Sequence, residues 1–284
     1  MQNYMKLTAV LTLVIILAGC SPPTDPTPDG STLRIGSFNI EQFGTTKTSR
    51  PNTLTVLAQI ATTFDVLAIQ EVGSNNSSAL ESTCITVMDA YVSRINQLAG
   101  ANAYAYVRGN QYAIVYRKSE VELVSSSLYS GSASFTYQPL TANFKSRAGN
   151  FDFAMLVIHT SPSVAVSEIP ALKTAMAEVS TEYAEPDVIC LGDFNADGSY
   201  FDEGTGDGLA GYSGYLTIIP NTADTTVASS SNTYDRIQLT SSLTTDYTAT
   251  WDVIRFTDDY DVSICEGTAT TTGTESALSD HYPV

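Results

Sequence analysis

Six short apolar runs constrain this chain more than any other feature, because each meets acid, amide or imidazole groups at one end. Leu33–Ile40 closes near Asn39, Asp65–Glu71 on Glu71, and Phe153–His159 on His159. Asp187–Asn195 closes on Asp193 and Asn195, Tyr234–Leu239 begins with Asp235, and Asp280–Val284 begins with Asp280 and His281. Runs of this length and composition, bounded by polar residues, read as buried strands. Tyr112–Tyr116 reads as another strand without such an ending. A single polar strand end is ordinarily a turn, a cap or a satisfied buried group. Repetition at run after run asks for more.

Helical patterns lie between the runs. Leu54, Leu57, Ile60 and Ala61 form an apolar stripe after Pro51, a favoured first-turn residue. Val87, Tyr91, Ile95 and Leu98 form a second stripe, and Ile169, Leu172, Ala175, Met176 and Val179 a third. Strands interleaved with helices predict an α/β domain with a layered sheet core. Periodicity alone leaves both an open parallel sheet and a two-sheet sandwich possible.

The N-terminus is organised differently. Lys6, the apolar run Leu7–Leu17 and small residues before Cys20 read as a signal peptide over residues 1–20, with a single anchor helix as the alternative. Leu17-Ala18-Gly19-Cys20 resembles the lipobox of prokaryotic lipoproteins, which implies lipidation at Cys20 and an exported, membrane-anchored chain. Residues 21–31 are proline-rich and form a tether. Residues 32–284 suffice for one large domain, expected to be a monomer.

The net charge is -17, with 13 Lys+Arg. Such a chain repels polyanions at long range and lacks the basic footprint usual in nucleic-acid binders. A nucleic-acid substrate then requires metal ions and a local basic patch, for which Lys47, Arg108, Lys145 and Arg147 are candidates. Of the four cysteines, Cys190 reads as a buried thiol, while export makes a Cys84–Cys265 disulfide conceivable. No Cys-x-x-Cys pair or His cluster suggests zinc.

Asn39, Glu71, His159, Asp193, Asn195, Asp235, Asp280 and His281 suit metal-assisted phosphoryl chemistry. Hard oxygen ligands fit Mg2+, an imidazole moves a proton near neutral pH, and amides and carboxylates orient a phosphate or a water.

Ser37-Phe38-Asn39-Ile40, Ile69-Gln70-Glu71-Val72, Leu191–Ala196, Tyr234-Asp235-Arg236-Ile237 and Ser279–Val284, in that order, resemble the motifs of the endonuclease/exonuclease/phosphatase superfamily. Val157–Pro162 with the helix Ala165–Leu172, and Ile219–Thr226 leading to Tyr234-Asp235, bring the resemblance to its DNase I type. The resemblance implies a four-layer αββα sandwich with the active site at one edge of both sheets.

It also implies roles. Glu71 holds a catalytic Mg2+ or Mn2+, with Asn39 and Asp280 close by. Asp235 accepts a hydrogen bond from His281, Asp193 and Asn195 position phosphate and water, and His159 serves the leaving oxygen. Asn195, Tyr200 and Arg108 are the expected substrate contacts, and Asp224, Thr226 and Ser230 match a structural Ca2+ site. The implied activity is hydrolysis of phosphodiesters by a non-specific extracellular DNase.

Some positions depart from the DNase I pattern. Gly73 and Glu41 stand where basic residues are usual, Tyr137 where a phosphate-binding arginine is usual, and Asn110 where a glutamate pairs with the first histidine. Gly198 and Asn232 replace a disulfide that braces the loop after Asn195, so Ca2+ or the Cys84–Cys265 bond is expected to brace it instead. Two other functions compete: hydrolysis of a phospholipid or inositol phosphate, and non-catalytic binding by a surface lipoprotein. Both histidines, with their acids, argue against the last.

Overall fold

A computed structural model describes residues 32–73, 81–202, 214–266 and 277–284. The signal peptide, Cys20 and the tether lie outside them.

Ten strands among the described residues form two sheets. The first has the order β1-β2-β4-β3, from β1 (Ile35–Phe43), β2 (Val66–Val72), β3 (Tyr104–Gly109) and β4 (Tyr112–Arg117). The second has the order β5-β6-β7-β8-β10-β9, from β5 (Val121–Leu128), β6 (Leu140–Ser146), β7 (Asp152–His159), β8 (Val188–Asp193), β9 (Tyr215–Thr217) and β10 (Asp235–Thr240). The parallel pairs are β1–β2 and β7–β8, each joined through helix. α1 (Thr45–Thr48) and α2 (Pro51–Thr62) link the first pair, and α4 (Ala165–Tyr183) links the second. α3 (Glu81–Leu98) and α5 (Phe256–Asp259) are the other α-helices among the described residues.

Side-chain alternation explains the layering. Leu67 and Ile69 of β2 pack with α2 and α3, whereas Val66 and Ala68 join the core between the sheets. On β7, Phe153, Met155 and Val157 face that inter-sheet core, and Ala154, Leu156 and Ile158 face α4. Three apolar clusters between four layers make the αββα sandwich, resolving the choice that periodicity leaves open. Strands buried on both faces read as continuous apolar runs, which is why sequence could not separate the two architectures. Fully burying one such side chain contributes roughly 1.5–3 kcal/mol.

The three predicted stripes become α2, α3 and α4, although Leu98 at the end of α3 is 38% exposed. Among the described residues no helix is long and apolar enough to cross a membrane. The Cys84–Cys265 disulfide that export made conceivable does not form, and Cys84, Cys190 and Cys265 are all free and buried. The Cys84 thiol points to the carbonyls of Val72 and Asn110 at 3.4 and 3.8 Å, while Cys265 follows the short 3-10 turn Val262–Ile264 packed on α2.

Candidate active site

The same alternation builds the site. His159 continues the inward series of Phe153, Met155 and Val157, and Asp193 continues Ile189 and Leu191. Asp235 lies in step with Ile237 and Leu239, and pairs with Asp193 across β10 and β8. Register places His159 opposite Asp193 on neighbouring strands. The inter-sheet core thus changes from apolar to ionisable at one end of both sheets.

The C-terminal segment delivers the second histidine. Val284 exchanges backbone hydrogen bonds of 2.9 and 3.0 Å with Ser37 of β1, and Tyr282 donates to the Thr225 carbonyl at 2.8 Å. The Ser279 hydroxyl donates to the Asn39 carbonyl and accepts from the His281 amide. His281 is therefore held between the two sheets by main-chain contacts on both sides.

Both imidazoles converge on one atom. His159 Nε2 and His281 Nε2 each lie 3.5 Å from Asp193 Oδ2. His281 Nδ1 is 2.8 Å from Asp235 Oδ2. Burial alone disfavours the His281 imidazolium, but Asp235 and Asp193 outweigh it and hold its pKa well above the usual histidine value. Burial likewise pushes the Asp193 carboxyl up, and here the facing imidazoles and the hydrogen bonds from Asn195 and Asn39 win and hold it low. Asn195 donates its backbone N–H to Asp193 and its side-chain amide to the Thr160 carbonyl, both at 2.9 Å.

A second cluster adjoins the first. Asn39 Nδ2 donates to Glu71 Oε1 at 3.3 Å and to Asp193 Oδ2 at 3.1 Å, and the Gln42 amide donates to Glu71 Oε2 at 2.6 Å. Glu41 stands beside Glu71 and Asp280, and burial with the Asp280 charge raises its pKa, with Lys47 opposing and Glu71 adding. Excess negative charge inside a protein marks a place for a cation. The oxygens of Glu71, Asn39 and Asp280 suit a hard divalent ion. Backbone strain collects at the site: Glu41 (φ 36), Gln42 (φ 46), Glu71 (φ 63) and Asn195 (φ 48) are left-handed non-glycine residues.

Asp193, Asp235 and His281 also offer ligand atoms within 4.8 Å of one another. Within it Asp235 already engages His281, and Asp193 faces both histidines. A cavity of about 550 Å³, lined by Leu33, Ile189, Leu239 and Trp251 among others, opens at the opposite strand ends and includes none of the catalytic candidates.

Several expectations are corrected. Arg108, expected as a substrate contact, pairs with Glu81 at the start of α3, on the helix-covered side of its sheet. Lys145 and Arg147 pair with Asp152 and Glu122 at the far end of β6, and Lys47 is buried, so the expected basic patch does not assemble. Asn110 donates to the Gln138 carbonyl rather than to His159, whose Nδ1 has no hydrogen-bond partner among the described residues. Tyr137 does stand beside His159, with ring centroids 6.0 Å apart. Tyr200 lies tilted against Tyr234, with ring centroids 5.5 Å apart, and Tyr234 lies 6.2 Å from His281.

Gly198 and Asn232 sit side by side, since a Cβ on Gly198 would lie 3.2 Å from Asn232 Oδ1. Their loop is braced by the Thr233 amide donating to Asp197 at 2.7 Å, not by a disulfide between Cys84 and Cys265. Asp224, Thr226 and Ser230 do meet: Thr226 Oγ1 lies 3.2 Å from both Asp224 Oδ1 and the Ser230 carbonyl, with Arg255 3.5 Å from Asp224. Two positioning residues escaped sequence reasoning. The Tyr112 hydroxyl accepts from the His159 amide, and the Thr225 hydroxyl accepts from the amides of Tyr234 and Asp235.

The sandwich, and paired histidines over buried acids at one sheet edge, define a phosphoester hydrolase. The chain belongs to the Endonuclease/Exonuclease/phosphatase family, whose model matches residues 36–281. It is similar to deoxyribonuclease-1 of Oryctolagus cuniculus, at 29% identity over 98% of this chain and 96% of that protein. It is similar to the Equus caballus deoxyribonuclease-1 at 30% identity, over 89% and 90%. Among solved structures its fold is like that of humanized D. rerio TDP2, with a TM-score of 0.55 at 17% identity over 88% of this chain and 96% of that one. The mannosyl-6-phosphatase Bt3783 of Bacteroides thetaiotaomicron VPI-5482 gives a TM-score of 0.54 at 16% identity, over 89% and 97%.

Proposed function

We propose that this chain is a Mg2+- or Mn2+-dependent phosphodiesterase and acts as a non-specific endonuclease on DNA. The observation that carries this is the convergence of His159 Nε2 and His281 Nε2 on Asp193 Oδ2 beside the Glu71–Asn39 pair. The similarity to deoxyribonucleases over nearly the whole chain supports nucleic acid as the substrate.

Each residue has a definable task. Asp235 holds His281 with Nδ1–H bonded and raises its basicity, so that Nε2 of the neutral ring takes a proton from the attacking water. Asp193 and Asn195 orient that water and the phosphate. His159, on the other side of Asp193, gives a proton to the leaving oxygen. Glu71, Asn39 and Asp280 hold the divalent ion, which supplies charge neutralisation at the phosphate.

The remaining assignments belong to the same proposal. The domain is exported as a monomer and tethered to the outer or cell-surface membrane through Cys20, so a Cys20→Ser chain is expected to be released from membranes. Asp224, Thr226 and Ser230 bind a structural Ca2+, and Ca2+ is then expected to raise the thermal midpoint.

Small chromogenic esters test the reaction class. With Mg2+ or Mn2+, bis(4-nitrophenyl) phosphate is hydrolysed faster than 4-nitrophenyl phosphate, and EDTA stops both. A preference for the monoester points to a phosphatase acting on a sugar or inositol phosphate instead.

A further inference from the structure

Five rings line up across the site. Tyr137 stands 6.0 Å from His159, both histidines meet at Asp193, and beyond His281 come Tyr234 at 6.2 Å and Tyr200 a further 5.5 Å on. All three tyrosines are partly exposed. Tyr137 is anchored on the inter-sheet cluster and Tyr200 on the cluster under α4, so each ring is fixed on one side while open on another.

The cations that ordinarily track a phosphate backbone are engaged elsewhere. Lys47 and Arg236 are buried against main-chain carbonyls. Arg108 faces Glu81, and Lys145 and Arg147 are paired at the far strand ends. A chain of net charge -17 with these cations so committed gains little from the counterion release that drives duplex binding. Aromatic faces are the contact the site offers in their place. They hold a strand through its bases, and a base face is available for stacking on a protein ring when it is unpaired.

We propose that the preferred substrate of this site is single-stranded nucleic acid. Unpaired bases stack on Tyr137 to one side of the scissile phosphate and on Tyr234 and Tyr200 to the other. This rests on the nuclease assignment above. The phosphate sits at Asp193 between the imidazoles, and the rings fix the flanking nucleotides.

The test compares the full chain with Mg2+ on a 20-nucleotide single strand, on the same sequence as a duplex, and on bis(4-nitrophenyl) phosphate. The single strand is expected to be cut at least about tenfold more efficiently than the duplex. Tyr137→Leu and Tyr200→Leu are expected to raise KM for the single strand by about tenfold each, the range of one base–aromatic stack. The ratio of single-strand to small-diester kcat/KM falls accordingly, which misfolding would not produce. Tyr137→Phe and Tyr200→Phe, which keep the ring, retain the wild-type KM. Equal or better cutting of the duplex, or Leu variants with unchanged KM, overturns the proposal while leaving the nuclease assignment standing. Hydrolysis of the small diester without cutting of either polymer overturns both.

Discussion

His281 Nδ1 lies 2.8 Å from Asp235 Oδ2, and both groups are buried. Because Asp235 and Asp193 outweigh the cost of burying the imidazolium, the folded pKa of His281 lies above its unfolded value. The stability that protonation of His281 contributes is therefore fully present below about pH 6.5 and is lost as pH rises through the folded pKa. Asp235→Asn is expected to lower the His281 pKa, to remove this pH dependence and to reduce turnover at least about tenfold. Histidine C–H chemical shifts followed against pH check the direction. An unchanged pKa in the variant would show that Asp235 does not control this ring.

Lys47 joins segments far apart in the chain. Its ammonium donates to the carbonyls of Ile40 and Leu278 at 2.9 and 2.8 Å, and to that of Glu41 at 2.7 Å. It thereby holds the left-handed turn at Glu41–Gln42 against the segment that carries Asp280 and His281. Burial lowers its pKa to about 8, with Glu41, Asp280 and Glu71 pulling the other way. The unfolded chain binds more protons between that value and the ordinary 10.5, so this group makes stability rise with pH across the window. Lys47→Met leaves buried carbonyls unpaired and is expected to cost about 3 kcal/mol in urea unfolding and to flatten that rise.

Gly192 lies in β8 beside Asp193, paired with Ile158 of β7, the strand that carries His159. Its φ is +147, and a Cβ there would lie 1.8 Å from the Ile158 carbonyl oxygen, which backbone cannot yield without moving β7 from β8. Gly192→Ala is expected to destabilise the fold by roughly 3 kcal/mol or more, lowering the thermal midpoint by several degrees. A midpoint within a degree of wild type would contradict the tight approach.

The thiols of Cys84, Cys190 and Cys265 are free and buried, and burial pushes Cys265 up to about 11. Reductant is expected to leave the thermal midpoint unchanged, and all three thiols should react with a thiol reagent in denaturant but slowly in the native state. A disulfide-linked peptide containing Cys84 and Cys265 would overturn this.

Much of this was legible in the sequence. Strand cores such as Val66–Ile69 and Phe153–Ile158 are apolar because both faces are covered, and the polar residue closing each run is where the inter-sheet core ends. Other features were not legible for physical reasons. β5 is a half-exposed strand of sequence VELVSSSL, with too little burial for a clear pattern. Arg108 and Glu81 are neighbours through sheet register and helix placement, which local sequence does not encode. Lys47 looks like a surface lysine between threonines, and its burial depends on the Leu278 carbonyl, which only the folded chain brings to it. Asn110 stands where the family resemblance places a partner for His159, but its left-handed turn sends the amide to Gln138.

The most direct test of the site is DNA cleavage by the full chain. Circular single-stranded DNA and supercoiled plasmid are incubated with Mg2+ or Mn2+, beside EDTA and a His281→Ala chain of unchanged thermal midpoint. The expected result is metal-dependent cutting that EDTA and the substitution each abolish. A folded, metal-supplied protein that leaves both circles intact, or cutting that survives EDTA or His281→Ala, would contradict it.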